Sequence, residues 1–115
     1  MIHVSVPVPL GDLPEQVLRF VLGPYLITIA SDRTPRATSV SVGWEGDALV
    51  AGLGARTAAN LRENGAVTLL WPAPAPGHHA LLVDGRAEVE EMPNADLRVL
   101  IRPAKAVLHV TRDQG

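Results

Sequence analysis

The chain has 115 residues, of which 47% are hydrophobic, 19% charged and 3% aromatic, enough apolar material for one domain with a real core. A net charge of −2 with scattered basic residues and few aromatics gives no footing to nucleic acid or an anionic membrane as partner. The absence of cysteine excludes a disulfide framework, a thiolate metal site and a thiol nucleophile, and no apolar run reaches the length of a membrane span. The start lacks the charged opening of a signal peptide, so a cytoplasmic location is expected. In chain order, residues 1–10 read as an N-terminal arm or edge strand, because Pro7 and Pro9 interrupt the β pattern. Residues 12–22 read as a helix. Asp12 and Glu15 fit a capping box, Leu13, Val17, Leu18, Val21 and Leu22 form one apolar stripe, and Gly23-Pro24 stops it.

Strands follow at residues 25–30 and 37–44, separated by Ser31-Asp32-Arg33-Thr34-Pro35, which has turn composition. The second strand alternates, with Ala37, Ser39, Ser41 and Gly43 on one face and Thr38, Val40, Val42 and Trp44 on the other. A face of small residues suits a flat ligand, another chain or close sheet packing. Glu45-Gly46-Asp47 is a hairpin turn into residues 48–53.

The stretch from Val50 to Pro72 organises the rest. It reads as a strand end, a turn loosened by Gly52 and Gly54, a helix from Arg56 to Asn64, and a buried apolar strand from Ala66 to Trp71. Asn64-Gly65 is a helix stop of the left-handed type. A helix opening straight after a glycine turn offers unpaired N–H groups and a positive dipole end, a seat for phosphate, although a plain connecting helix fits the local pattern as well. After Trp71, PAPAPGHH is a stiff polar loop. Residues 79–90 alternate again, with Leu81, Val83, Ala87 and Val89 opposite Asp84, Arg86, Glu88 and Glu90, and Gly85 as a bulge. Residues 92–100 read as a brief helix and 101–111 as a last strand after Pro103. About six strands with two inserted helices indicate a mainly β, closed or nearly closed antiparallel barrel in a single domain, residues 1–115.

The order TPRATSVSVGWEGDALVAGLGARTAANLRENGAVTLLWP, followed by a strand containing VDGRAEVEE, resembles the pyridoxamine 5'-phosphate oxidase-like family of flavin-binding split barrels. The resemblance covers roughly residues 22–110 and is most specific at Gly54-Ala55-Arg56-Thr57-Ala58-Ala59-Asn60-Leu61. It implies a six-stranded antiparallel split barrel, an obligate homodimer, and FMN with its ring in the cleft between subunits. The family's Gly-Ser-Arg-Lys-Ala pattern falls on this segment, with Arg56 in its arginine place, Thr57 in its lysine place and Ala55 in its serine place. Thr38 and Gly43 stand where the preceding strand of the family often carries arginine and lysine, with Arg36 close by. The resemblance thus implies that Arg56, Thr57 and Asn60 hold the FMN phosphate, that Thr38, Ser39, Val40 and Ser41 run beside the flavin, and that Trp71 closes the pocket or packs in the core.

A C-terminal segment with the substrate-gripping arginine and histidine of the full-length oxidases is not among these residues, so vitamin B6 oxidation is not expected. The implied function is an FMN-dependent oxidoreductase acting on a small-molecule substrate or electron acceptor. The alternative is a non-catalytic carrier of flavin, haem or deazaflavin on the same barrel, or a barrel with no cofactor. Other chemistry is poorly supplied. His3, His78, His79 and His109 lack metal-ligand spacing, with His78-His79 attributable to loop polarity. Glu90-Glu91 reads as a solvated strand end, and Ser39 and Ser41 have no nucleophile pattern around them. Chemistry delegated to a cofactor fits that lack.

Overall fold

The structure, a computed structural model, describes residues 2–112, with side chains described for residues 5–110. Eight strands and two helices follow in the order β1 (Ile2–Val8), α1 (Leu13–Val17), β2 (Tyr25–Ile29), β3 (Pro35–Ser39), β4 (Gly43–Glu45), β5 (Ala48–Leu53), α2 (Ala55–Glu63), β6 (Ala66–Trp71), β7 (Ala80–Glu91) and β8 (Leu97–Arg112). The strands form one antiparallel sheet in the order β3-β2-β6-β7-β8-β5-β4, with β1 also paired to β8. The mainly β class and split-barrel fold expected from the sequence are therefore present, with eight strands in place of six.

Two features account for the extra strands. The expected strand over residues 37–44 breaks in the middle, because the Val40 amide turns away to donate to the Pro24 carbonyl at 3.1 Å. Gly23 permits this approach, since a Cβ there would lie 2.9 Å from the Val40 carbonyl oxygen. The arm is the other addition: Ile2 to Val8 pairs residue for residue with Arg112 to Ala106.

Closure follows from connectivity. β3 and β4 lie at opposite ends of the sheet order, yet only residues 40–42 separate them in the chain. Four extended Cα steps span at most about 14 Å, so the two edges must curl towards each other. The opening lies on β8, whose second edge pairs with β5 from Leu97 to Ile101 and with β1 from Ala106 to Arg112. Pro103 falls in the interval between these two partners, a place where a strand tolerates a residue without N–H.

The alternation read along residues 79–90 holds, with Leu81, Val83 and Ala87 buried and Asp84, Arg86 and Glu88 exposed. A register shift falls between Asp84 and Gly85, where the bulge was expected. Leu26, Leu49, Leu69, Trp71, Leu81 and Ile101 are among the side chains that fill the interior.

Both helix expectations outside the central stretch need correction. The first helix is five residues, entered through a 3-10 turn at Leu10–Asp12. Asp12 already has helical angles (φ −92°, ψ −5°) and makes no side-chain cap, so the capping box does not form. Of its predicted stripe, Leu13 is buried, but Leu18, Val21 and Leu22 are 84%, 97% and 73% exposed. Without burial, nothing in this segment offsets the cost of a longer helix. In place of the helix expected over residues 92–100, residues 92–96 form a hairpin turn and β8 begins at Leu97. Met92 N–H donates to Asp96 O and Ala95 N–H to Met92 O, both at 2.8 Å, and Ala95 takes φ +69°. Asn94 holds the turn by bonding the Asp96 backbone N–H at 3.1 Å and its carboxylate at 2.9 Å.

Candidate cofactor-binding site

The central stretch folds as a strand, turn, helix and strand. β5 ends at Leu53, Gly54 is extended (φ −82°, ψ 164°), and α2 begins at Ala55. Neither Gly52 nor Gly54 needs a glycine-only conformation, and a Cβ on either would meet nothing within 4 Å. These two positions therefore border open space. The first intrahelical bond runs from Ala58 N–H to Gly54 O at 3.1 Å. The amides of Ala55, Arg56 and Thr57 precede it, no side chain caps them, and the first turn holds no acidic residue. The positive end of this helix is uncompensated by its own sequence.

The three expected phosphate residues are grouped here. Arg56 and Asn60 are four positions apart and Thr57 and Asn60 three, so they share one side of α2. Arg56 is exposed and the other two are half-buried, while Ala58 and Leu61 turn into the core. The helix packs over β2, β7 and β8.

α2 does not end by the left-handed stop expected at Asn64-Gly65. Asn64 is extended (φ −143°, ψ 107°) and its side-chain oxygen accepts from the Ala66 N–H at 3.0 Å. Gly65 is favoured by proximity: Ala87 N–H donates to its carbonyl at 2.8 Å, and a Cβ would stand 3.0 Å from the Ala87 oxygen.

The expected flavin-side residues lie on a different element. Thr38 and Ser39 end β3, exposed, and Val40 and exposed Ser41 belong to the linker. The last β4–β5 pair on this side is Gly43 with Val50, so the linker continues beyond it in the direction of Gly52 and the start of α2. Thr38 and Ser39 pair with Leu26 and Tyr25 of β2, one strand beyond the part of the sheet that α2 covers. Trp71 is 1% exposed and sits in the core at the far end of β6 from α2.

Outside this group, loop 72–79 folds with Gly77 at φ +81° and His78 N–H on Ala75 O at 3.1 Å. His78 and His79 line a cavity of about 200 Å³ with Gln16, Arg19, Phe20 and Pro74. Among the described residues no three His, Cys, Asp or Glu side chains gather as a metal would need. His109 Nδ1 lies 2.8 Å from Ser5 Oγ, and the side chain of His3 is outside the described residues.

Sequence reading missed one charged network. Arg98 on β8 bonds Glu45 of β4 at 2.8 and 3.2 Å and Glu90 of β7 at 3.1 Å. To reach Glu45 it extends across β5, the strand that lies between β8 and β4. The Arg98 hydrogen bonds, and then its charge, hold the Glu45 carboxyl below the usual glutamate range. No sequence signal gives this, since it depends on the register of four strands.

The fold is the split barrel of the pyridoxamine 5'-phosphate oxidase-like proteins. A pyridoxamine 5'-phosphate oxidase-like protein from Listeria innocua superposes with TM-score 0.71 at 19% identity, over 87% of this chain and 98% of its own. An F420 reductase matches with TM-score 0.69 at 19% identity, over 80% and 94%. A haem storage protein from Vibrio cholerae matches with TM-score 0.68 at 13% identity, over 87% and 94%. In sequence, uncharacterised proteins of Mycobacterium bovis and Mycobacterium tuberculosis are each 42% identical over 59 residues, 50% of this chain. The matched stretch spans 42% of the length of each of these relatives. No family model matches the chain.

Proposed function

We propose that the protein is an FMN-dependent oxidoreductase acting on a small molecule, with the FMN phosphate at the start of α2. The observation that carries this reading is the first turn of α2, which is uncapped, free of acidic residues and bordered by open space at Gly52 and Gly54. An anion seated there would meet backbone donors and the guanidinium of Arg56, with Thr57 and Asn60 alongside. FMN, when bound, supplies the hydride and electron transfer; the chain supplies the phosphate grip and the walls of the site. The linker at Val40 and Ser41 runs beside the ring, and His78 and His79 border the route of the acceptor.

A homodimer is part of the proposal. The cross-strand row Tyr25, Leu70, Leu82 and Val107 is apolar on the outer surface of four adjacent strands, and Ser39 and Pro7 continue it on either side. A second copy seated on that row would bury it and bring its own residues to the flavin ring.

A carrier that holds a flavin, deazaflavin or haem without turnover is the second reading, favoured by Ala55 and Thr57 in the places the family fills with serine and lysine. The deciding experiment titrates FMN and riboflavin into the protein by flavin fluorescence and then adds NADH or NADPH anaerobically. The oxidoreductase reading expects saturable FMN binding, weaker riboflavin binding and bleaching of the bound flavin. Binding without reduction by either nucleotide moves the protein to the carrier class, and absence of FMN binding removes the flavin altogether.

A further inference from the structure

The gap in the barrel wall opens onto a cavity. Between Ile101, the last β8 residue paired with β5, and Ala106, the first paired with β1, no strand among the described residues pairs with the outer edge of β8. The 3-10 turn and the start of α1 lie over this gap, and the turn between β4 and β5 bounds its other side. Between them lies a cavity of about 440 Å³, lined by Leu10, Leu13, Pro14, Trp44, Asp47 and Pro103 with the backbones of Gly11 and Gly46. A Cβ on either glycine would meet nothing within 4 Å, and Gly46 takes φ +63°, so the rim is kept thin on both sides.

This cavity is separate from the start of α2. It lies at Asp47, where β5 begins, and α2 starts where β5 ends. The five steps of β5 at about 3.3 Å each put roughly 17 Å between the two places.

The lining chemistry restricts the occupant. Leucine and proline walls and one half-buried indole favour a compact apolar body. Among the described residues Asp47 is the charged side chain in the lining, and no lysine, arginine or histidine accompanies it there. An anion would meet an uncompensated carboxylate, whereas an ammonium group gains that carboxylate with an indole in the same lining. We propose that this gap cavity binds a small arylalkyl amine in its ammonium form, with the amine held between Asp47 and Trp44 and the ring against Leu10, Pro14 and Pro103.

The test uses the whole chain and its tryptophan emission. Trp71 is 1% exposed in the core, so Trp44 is the residue positioned to report. Benzylamine should give a saturable emission change, benzyl alcohol should bind about tenfold more weakly, the worth of one charge-assisted bond, and phenylacetate should give none. Asp47→Asn, an exposed turn substitution, should abolish the preference for the amine over the alcohol. Trp44→Phe should lose the emission response yet still bind benzylamine by calorimetry, and added FMN should leave amine affinity unchanged. The proposal is overturned by absence of saturation with benzylamine, by equal affinity for amine and alcohol, by an Asp47→Asn protein that keeps the preference, by an emission response surviving Trp44→Phe, or by displacement of the amine by FMN.

Discussion

Replacing Gly85 by alanine should destabilise the fold, and the same change at Gly52 should not. A methyl group on Gly85 would lie 2.6 Å from the Arg102 carbonyl oxygen and 3.2 Å from both the Arg102 carbonyl carbon and Ile101 Cγ2, where real contacts essentially never fall below 3.0 Å. The crowding atom is backbone, so relief requires β7 and β8 to spread at the register shift beside Asp84. Overpacking of this kind costs about 1–3 kcal/mol, and loss of glycine's unfolded-state freedom returns about 0.4–1 kcal/mol, leaving a net loss of about 1–2 kcal/mol. Urea unfolding with an m-value of about 1–3 kcal/mol/M should then show a midpoint lower by roughly 0.3–2 M at unchanged slope. At Gly52 the new methyl meets nothing within 4 Å, and only the entropic gain remains, so stability should be equal or slightly higher. A Gly85→Ala protein as stable as the wild type would refute the claim that backbone contact fixes this glycine. The pair also separates fold from site, because Gly52→Ala should weaken FMN binding without lowering stability if the open space beside α2 receives the cofactor.

Arg56→Ala should weaken FMN binding by about 1.5–3 kcal/mol, the scale of a hydrogen bond to a charged group, and leave riboflavin binding nearly unchanged in parallel titrations; equal losses would assign Arg56 to the fold. Leu82→Asp places a carboxylate in the middle of the outer apolar row and should convert a dimer to a monomer by light scattering, with the urea midpoint measured alongside to show that the subunit still folds. Because Arg98 lowers the folded pKa of Glu45 from 4.5, the stabilisation is present above that value and is lost as pH falls through the lower, folded value. The urea midpoints of wild type and Arg98→Met should therefore differ by a constant amount near neutral pH and converge as the pH drops below 4.5, and a difference that persists at acid pH would exclude this ion pair as its source. Asp32, also lowered by hydrogen bonds from Thr34, titrates in both proteins and cancels in that comparison.

The sequence by itself determined what depends on near neighbours. The period-two alternation of residues 79–90, the turn at Gly46-Asp47 and the unit of β5, α2 and β6 were all legible, because they rest on residues a few positions apart. The grouping of Arg56, Thr57 and Asn60 was legible too, since helical spacing fixes it once α2 exists. What the tertiary structure decided depends on partners far along the chain. Asp12 looked like a helix cap, yet the 3-10 turn beneath it put its backbone in helical angles, and exposed Leu18, Val21 and Leu22 had no core to extend α1 against. Residues 37–44 alternate as one strand, but Val40 was drawn off to Pro24 by a contact that only the close approach at Gly23 allows. Trp71 could have faced a cofactor or the core, and the pairing of β6 between β2 and β7 placed it inside. The gap on β8 that holds the second cavity follows from two strands, β1 almost the length of the chain away from β8 and β5 less than half of it; side-chain pattern says which face a residue prefers, and only the register of distant strands says what stands beside it.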